Sequence, residues 1–309
     1  MLKNYLYIAR PDHWFKNIFM LPGFLLALTL AEHQFKIQNV LDIFLAVFAV
    51  CLIASANYTI NEWLDAKFDK HHPVKKNRPA VTGAITGGGA YLQWAILATT
   101  GLSLSLCINI HFTYLNALLL IMGLIYNVNP IRTKDRQYLD VLSESINNPL
   151  RFMLGWTIVS DNLLPPSSVI FAYWMGGAYL MGIKRYAEYR YINNAEIALK
   201  YRRSFGFYTE ESLLLSSFFY GLTSAFFLGV FLIKYRVEFI LLMPLLALLF
   251  TWYLKIGMQE NSVTQTPEKL YTQKGFIAYL IIIGLIFICL TFIDIPLLNI
   301  VVETRAIEY

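Results

Sequence analysis

Charged residues are scarce in this 309-residue sequence: Asp, Glu, Lys and Arg make up 15% of it, against roughly 25% in an average soluble domain. With 57% hydrophobic residues and a mean hydropathy of +0.51, a water-soluble fold could not cover its own apolar surface. Cysteine is scarcer still. Cys51, Cys107 and Cys289 each sit inside an apolar run without paired spacing, which excludes a disulfide framework or a thiolate zinc site and leaves them as packing residues. The adjacent His71 and His72 read as solvated loop residues rather than metal ligands. The first apolar run begins after Lys16, carries Pro22 and is followed by no small-residue cleavage site, so a retained span is expected rather than a removed signal peptide. In-out alternation is missing too, which argues against a β-barrel.

What is present is a series of continuously apolar runs, at about 15–31, 40–60, 91–109, 112–128, 139–159, 169–183, 213–233, 239–254 and 276–292. Several fall short of the roughly 20 residues that cross a bilayer core, so their boundaries are soft. Nine such runs joined by short connections leave too little polar surface for a soluble helical protein. The expectation is an all-α, polytopic membrane protein of about nine transmembrane helices in one domain over 1–309.

Basic residues are distributed asymmetrically. The N-terminal segment and the connections after runs two, four, six and eight hold 20 of the 25 Lys and Arg residues, the opposite side holds four, and Arg151 lies inside run five. By the positive-inside rule the N-terminus and the basic connections are expected to be cytoplasmic, in the cell (inner) membrane. The net charge of +5 is therefore spread over membrane-flanking loops and is no nucleic-acid signal.

Unusual residues concentrate on that same side. Asn61, Asp65 and Asp69 are spaced i, i+4, i+8, one helical face, with Glu62 three residues before Asp65. Carboxylates so close repel unless a cation lies between them. Hard oxygen donors favour Mg²⁺, which binds through one or two carboxylates plus substrate phosphates. Lys75, Lys76 and Arg78 follow directly. The plain alternative is a solvated acidic helix end.

A second segment carries Asp140 and Glu144 at i, i+4, with Arg151 eleven residues after Asp140 and so about 20° from it on a continuous helix. Ionisable groups within a span mark a functional cavity by default, and Pro149 is expected to kink the helix. A third segment, Lys184-Arg185-Tyr186-Ala187-Glu188, allows Lys184 to pair with Glu188 and leaves Arg185 for phosphate. The glycines Gly87, Gly88 and Gly89 read as a connector.

Taken together these segments resemble the UbiA-type superfamily of intramembrane transferases. Its acidic motif N-D-x-x-D-x-x-x-D appears as Asn61-Glu62-x-x-Asp65-x-x-x-Asp69, with Glu in place of the second-position Asp. Within it the sequence resembles the decaprenyl-phosphate phosphoribosyltransferase branch, over 10–213. The matching residues are Arg10-Pro11-x-x-Trp14-x-Lys16-Asn17, then Asp69-x-x-His72-Pro73-x-Lys75-Lys76-x-Arg78-Pro79, Asp140 with Arg151 and Gly155, Lys184-Arg185-x-Ala187-Glu188, and 203–208. Departures are Glu62, the Asn129-Pro130-Ile131-Arg132 run and the polar 143–149 stretch.

The resemblance implies Mg²⁺-dependent transfer of 5-phosphoribose from 5-phosphoribosyl diphosphate to a polyprenyl phosphate. The implied roles are metal binding by Asn61, Glu62, Asp65 and Asp69, and catalysis by Asp65, Asp69 and Asp140. Substrate contacts fall to Lys16, Asn17, Lys75, Arg78, Tyr126, Glu144, Arg151, Lys184, Arg185 and Glu188, with Lys16 and Asn17 at the lipid head group. A second reading is a prenyltransferase that moves a prenyl group from its diphosphate to an aromatic or quinone-precursor acceptor. A third, from another class, is a transporter with Asp140, Glu144 and Arg151 as an ion path. The partners are thus a polyprenyl phosphate, a diphosphate-bearing small molecule and the membrane; homo-oligomerisation stays open.

Overall fold

The computed structural model describes residues 2–31, 38–70, 75–160 and 164–298. Twelve α-helices carry the fold among them: α1 (Leu2–Ala9), α2 (Leu21–Leu30), α3 (Gln38–Asp69), α4 (Gly87–Leu106), α5 (Ile110–Asn127), α6 (Leu139–Ser145), α7 (Asn147–Val159), α8 (Ser167–Ile192), α9 (Ala195–Tyr201), α10 (Glu210–Tyr235), α11 (Met243–Gly257) and α12 (Lys274–Phe292). The described residues contain no strand, as continuous rather than alternating apolar runs require. Five segments, Val40–Asp69, Ile110–Asn127, Glu210–Tyr235, Val237–Gly257 and Lys274–Phe292, are long and apolar enough to cross a membrane.

Packing follows chain order. Helix α3 lies along α4, α8 along α10, and α2 crosses α7. The helices bury three main apolar clusters, centred on Ile53 and Leu119, on Phe152 and Phe231, and on Tyr179 and Tyr253. Cys51 is buried as expected of a packing residue, whereas Cys107 and Cys289 are exposed on the helix surface, which corrects that expectation for those two.

The length of α3 decides where the site sits. Its 32 residues span about 48 Å at 1.5 Å per residue, well beyond a hydrocarbon core of roughly 30 Å. One end must therefore emerge from the bilayer, and Asn61, Asp65 and Asp69 lie on that end. Helix α4 restarts the chain with a Thr86 cap that accepts a hydrogen bond from the Gly89 amide at 3.2 Å. Gly87 and Gly89 there lie against the Trp63 and Tyr5 side chains, consistent with a connector.

The kink expected at Pro149 is present as a one-residue interruption, across which Ile146 keeps φ −60° and ψ −20° and accepts from the Leu150 amide at 3.2 Å. Helix α6 ends at Ser145 and α7 starts at Asn147; Pro149 in the first turn of α7 has no N–H to offer the Ser145 carbonyl. Beyond it α7 crosses α2 at backbone contact. A Cβ on Gly155 would lie 1.9 Å from the Met20 carbonyl oxygen, and one on Gly23 would lie 1.9 Å from the Phe152 carbonyl oxygen. Small residues at such crossings let transmembrane helices approach this closely.

Candidate functional site

The polar end of the bundle holds a cavity of about 810 Å³. Its wall is assembled from the segment after α1, the ends of α3, α5 and α8, and the connections that follow α3, α5, α9 and α11. Ten Lys and Arg residues line it against five Asp and Glu residues. A cleft lined mainly by one sign of charge focuses its field and concentrates ions of the opposite sign, so the cavity is electrostatically suited to an anion.

On the α3 wall, Asn61, Asp65 and Asp69 all face the cavity, as their spacing requires. Asp65 accepts hydrogen bonds from Arg132 at 3.0 Å and from Lys134. Asn127 supports both cations, its carbonyl accepting from Arg132 at 2.6 Å and its side-chain oxygen from Lys134 at 2.7 Å. Burial lowers the Lys134 ammonium to about 8, against the pull of Asp65. Asp69 accepts from Arg78 at 2.7 Å. Glu62 departs from expectation. It is buried outside the cavity lining, 4.0 Å from the Arg78 guanidinium, because a residue three before Asp65 points about 60° away on the helix. It is not placed to hold a cavity metal.

No group of three or more His, Cys, Asp and Glu able to hold a metal occurs among the described residues. Asn61, Asp65 and Asp69 nonetheless form a hard-oxygen set on one face of a cation-rich cavity. Such a set fits Mg²⁺ when substrate phosphates complete the shell. His71 and His72 lie outside the described residues.

The α8 wall reverses a sequence expectation. Arg185, not Lys184, is the paired residue. It donates to Glu144 at 2.5 Å, to the Tyr126 hydroxyl at 3.1 Å and to Glu188 at 3.3 Å, and lies 3.5 Å from Asp140. Glu188 is taken by Lys75 at 3.1 Å and by the Tyr201 hydroxyl at 2.7 Å. Lys184 lines the cavity with no ion pair within 4.0 Å among the described residues. Lys16 reaches the same cavity, 3.0 Å from His13 Nδ1.

Three expected site residues turn out to be supports. Asp140 is fully buried and lies outside the lining; it accepts from Tyr208 at 2.7 Å and Ser204 at 3.0 Å and faces Arg185 and Arg202. Arg151 does not approach it. Eleven residues separate the two by about 16.5 Å along a helix even where their phase agrees, and Arg151 instead donates to Asn17 at 2.9 Å inside the bundle. Asn17 in turn donates to Cys51 at 3.1 Å. Neither Asn17 nor Arg151 contacts the cavity, so neither is placed to hold a head group or a phosphate there.

Several lining residues carried no sequence signal of their own. Lys134 and Arg202 belong to basic connections but to no recognised motif, and Tyr58 projects two turns before Asp65. The connection after α11 contributes Asn261, Val263, Gln265, Thr266 and Lys269; the preponderance of basic residues on its side of the membrane was the one hint that it would meet the others.

The sequence is related to curated proteins. It is 27% identical over 214 residues to a decaprenyl-phosphate phosphoribosyltransferase of Corynebacterium glutamicum, a match covering 66% of this chain and 59% of that protein. It is 30% identical over 125 residues to a 4-hydroxybenzoate octaprenyltransferase of Shewanella sediminis, covering 40% and 43% respectively. The alignments thus span less than two thirds of these relatives. In fold, the chain matches a UbiA homolog from Archaeoglobus fulgidus bound to GPP and Mg²⁺ with a TM-score of 0.69 at 21% identity, covering 91% of this chain and 99% of that one. The model of the UbiA prenyltransferase family matches residues 18–280, which takes in both charged walls of the cavity, and the chain therefore belongs to that family of membrane-embedded transferases.

Proposed function

We propose that the protein transfers 5-phosphoribose from 5-phosphoribosyl diphosphate to a polyprenyl phosphate, with the cavity open to the cytoplasmic side of the cell membrane. The observation that carries this reading is the excess of cations in the cavity, ten Lys and Arg against five Asp and Glu. Among its lining residues, Phe68 and Val263 are the ones with wholly apolar side chains. A prenyl diphosphate donor needs apolar wall for its tail, whereas a sugar bearing a diphosphate and a 5-phosphate needs cations at both ends. The curated relatives named decaprenyl-phosphate phosphoribosyltransferase support the same choice.

In the reaction an oxygen of the acceptor phosphate forms a bond to the anomeric carbon. The bond from that carbon to the diphosphate oxygen breaks, and the diphosphate leaves with the electron pair. The acceptor is already anionic, so no general base is needed. Mg²⁺, when bound through Asn61, Asp65 and Asp69, supplies neutralising charge for the leaving diphosphate. Arg78, Arg132 and Lys134, which hold the two carboxylates, stand within reach of the same phosphates. Lys184, which makes no ion pair within 4.0 Å among the described residues, and Lys16 both line the cavity and suit the second anion. Glu144 and Tyr126 orient Arg185, whose charge is spent largely within the wall.

The second reading, prenyl transfer to an aromatic acceptor, is favoured by the 30% identity to an octaprenyltransferase. Purified protein, Mg²⁺, a polyprenyl phosphate and radiolabelled 5-phosphoribosyl diphosphate test the choice. Label is expected in the organic phase. Its absence, together with transfer from a prenyl diphosphate to an aromatic acid, would overturn the proposal.

A further inference from the structure

The cavity's two charged walls are bridged on one side by a rim of uncharged polar residues. It comes from the connection between α11 and α12, outside the stretch that carries the sequence resemblance. Asn261, Gln265 and Thr266 line the cavity there, and no hydrogen bond of their side chains to another described residue is found. The backbone beneath them is held firmly. Ser262 Oγ donates to the Ile256 carbonyl at 2.7 Å and lies 2.9 Å from Thr264 Oγ1, which is fully buried. Gly257, where the connection leaves α11, sits so close to Ile183 that a Cβ would be 2.3 Å from that side chain.

A fixed backbone that presents amide and hydroxyl groups without internal partners is suited to a ligand that both donates and accepts. The carboxylates that could otherwise accept from sugar hydroxyls are each ion-paired, Asp65 and Asp135 with Arg132, Asp69 with Arg78, Glu144 with Arg185 and Glu188 with Lys75. Phosphates find ten cations in this cavity; what remains of a phosphoribosyl donor is its sugar. We infer that Asn261, Gln265 and Thr266 form a hydroxyl-recognition rim that binds the ribose ring of the donor and selects a sugar diphosphate over a prenyl diphosphate. The inference rests on the phosphoribosyl reading above.

Three substitutions test it. Asn261 has a positive φ of 55°, so Asn261→Gly removes the amide while keeping that backbone accessible. Thr266→Val is nearly isosteric, and Gln265→Ala/Thr266→Val removes two groups together. For each, detergent-purified protein with Mg²⁺ is titrated with 5-phosphoribosyl diphosphate and, separately, with inorganic diphosphate. Each lost hydrogen bond is expected to weaken the phosphoribosyl diphosphate affinity about fivefold to tenfold, while the diphosphate affinity stays within twofold and reports an intact fold. If Thr266→Val and Asn261→Gly leave the ratio of the two affinities unchanged, the rim does not read the sugar. A different result identifies failure of the underlying reading: wild-type protein that binds 5-phosphoribosyl diphosphate no more tightly than diphosphate has no sugar subsite, and the inference falls with it.

Discussion

Arg185 and Glu144 meet at 2.5 Å in the wall between α8 and α6, and that contact separates the two neighbouring cations of α8 into different roles. Arg185 is committed to carboxylates, whereas Lys184 faces the cavity with no ion pair within 4.0 Å among the described residues.

Substituting these neighbours is expected to give opposite phenotypes. Arg185→Met leaves Glu144, Glu188 and Asp140 short of a buried counter-charge, and loss of one partner from such a network costs about 3–5 kcal/mol. Thermal unfolding in detergent should shift down sharply. Lys184→Met should leave the unfolding midpoint nearly unchanged and raise the KM for the anionic donor about tenfold or more. Equal loss of stability in both would contradict the assignment.

Asp65→Ala and Asp69→Ala are each expected to lower transfer by a factor of roughly 10²–10³, the scale of a lost transition-state electrostatic contact. Chelation of divalent ions should stop transfer in the wild type, and added Mg²⁺ should restore it. Label appearing in the organic phase at the wild-type rate from both variants would remove the metal role.

Glu62→Gln provides the contrast. Its side chain is turned to Arg78 rather than to the cavity, so dependence of the rate on Mg²⁺ concentration should match the wild type, with at most a modest loss of stability, about 1 kcal/mol. A large shift in that dependence would return Glu62 to the metal site.

Lys75 ties the connection after α3 to α8 and α9 through Glu188 and Tyr201. Burial pulls its ammonium down, and Glu188 with Tyr201 outweighs that, so its pKa lies above the ordinary lysine value. A raised cation contributes stability that is complete below about pH 10.4 and is lost as pH rises through the folded-state value. Lys75→Met should therefore cost stability by a constant amount, about 1–3 kcal/mol, across pH 6–9. A cost that vanishes within that range would show that the contact is not charged as described.

Gly155→Ala reverses a familiar sign. In a helix interior this change ordinarily gains about 1 kcal/mol, but here the new carbon would stand 1.9 Å from the Met20 carbonyl oxygen. Neither backbone can retreat without parting α2 from α7, so a loss of about 1–3 kcal/mol is expected, measured as a lower unfolding midpoint.

Much of the architecture was legible because its cause is local. Scarce charge and continuous apolar runs decide for membrane helices, and a 3.6-residue period is enough to put Asn61, Asp65 and Asp69 on one face. The asymmetry of basic residues anticipated that distant connections would share one end, and Lys75, Arg132, Lys184 and Lys269 do line one cavity. Phase arguments failed where the residues lie several turns apart. Asp140 and Arg151 share a helical phase but stand about 16.5 Å apart along the axis, and Arg151 meets Asn17 while Asp140 meets Tyr208 and Ser204.

What the sequence by itself determined is therefore the solvent of the fold, its helices, the end that carries the charge and the acidic face of α3. Only the tertiary structure decided which cation meets which carboxylate. Lys184 and Glu188 stand at the right separation to pair along α8, yet Lys75 and Tyr201 reach Glu188 from elsewhere in the chain, and Glu144 and Asp140 bring their charges to Arg185. Spacing along one helix reports which residues can meet within it; the competing partner is supplied by whichever helix packs against that face, and backbone contacts such as Gly155 against Met20 set how closely it comes.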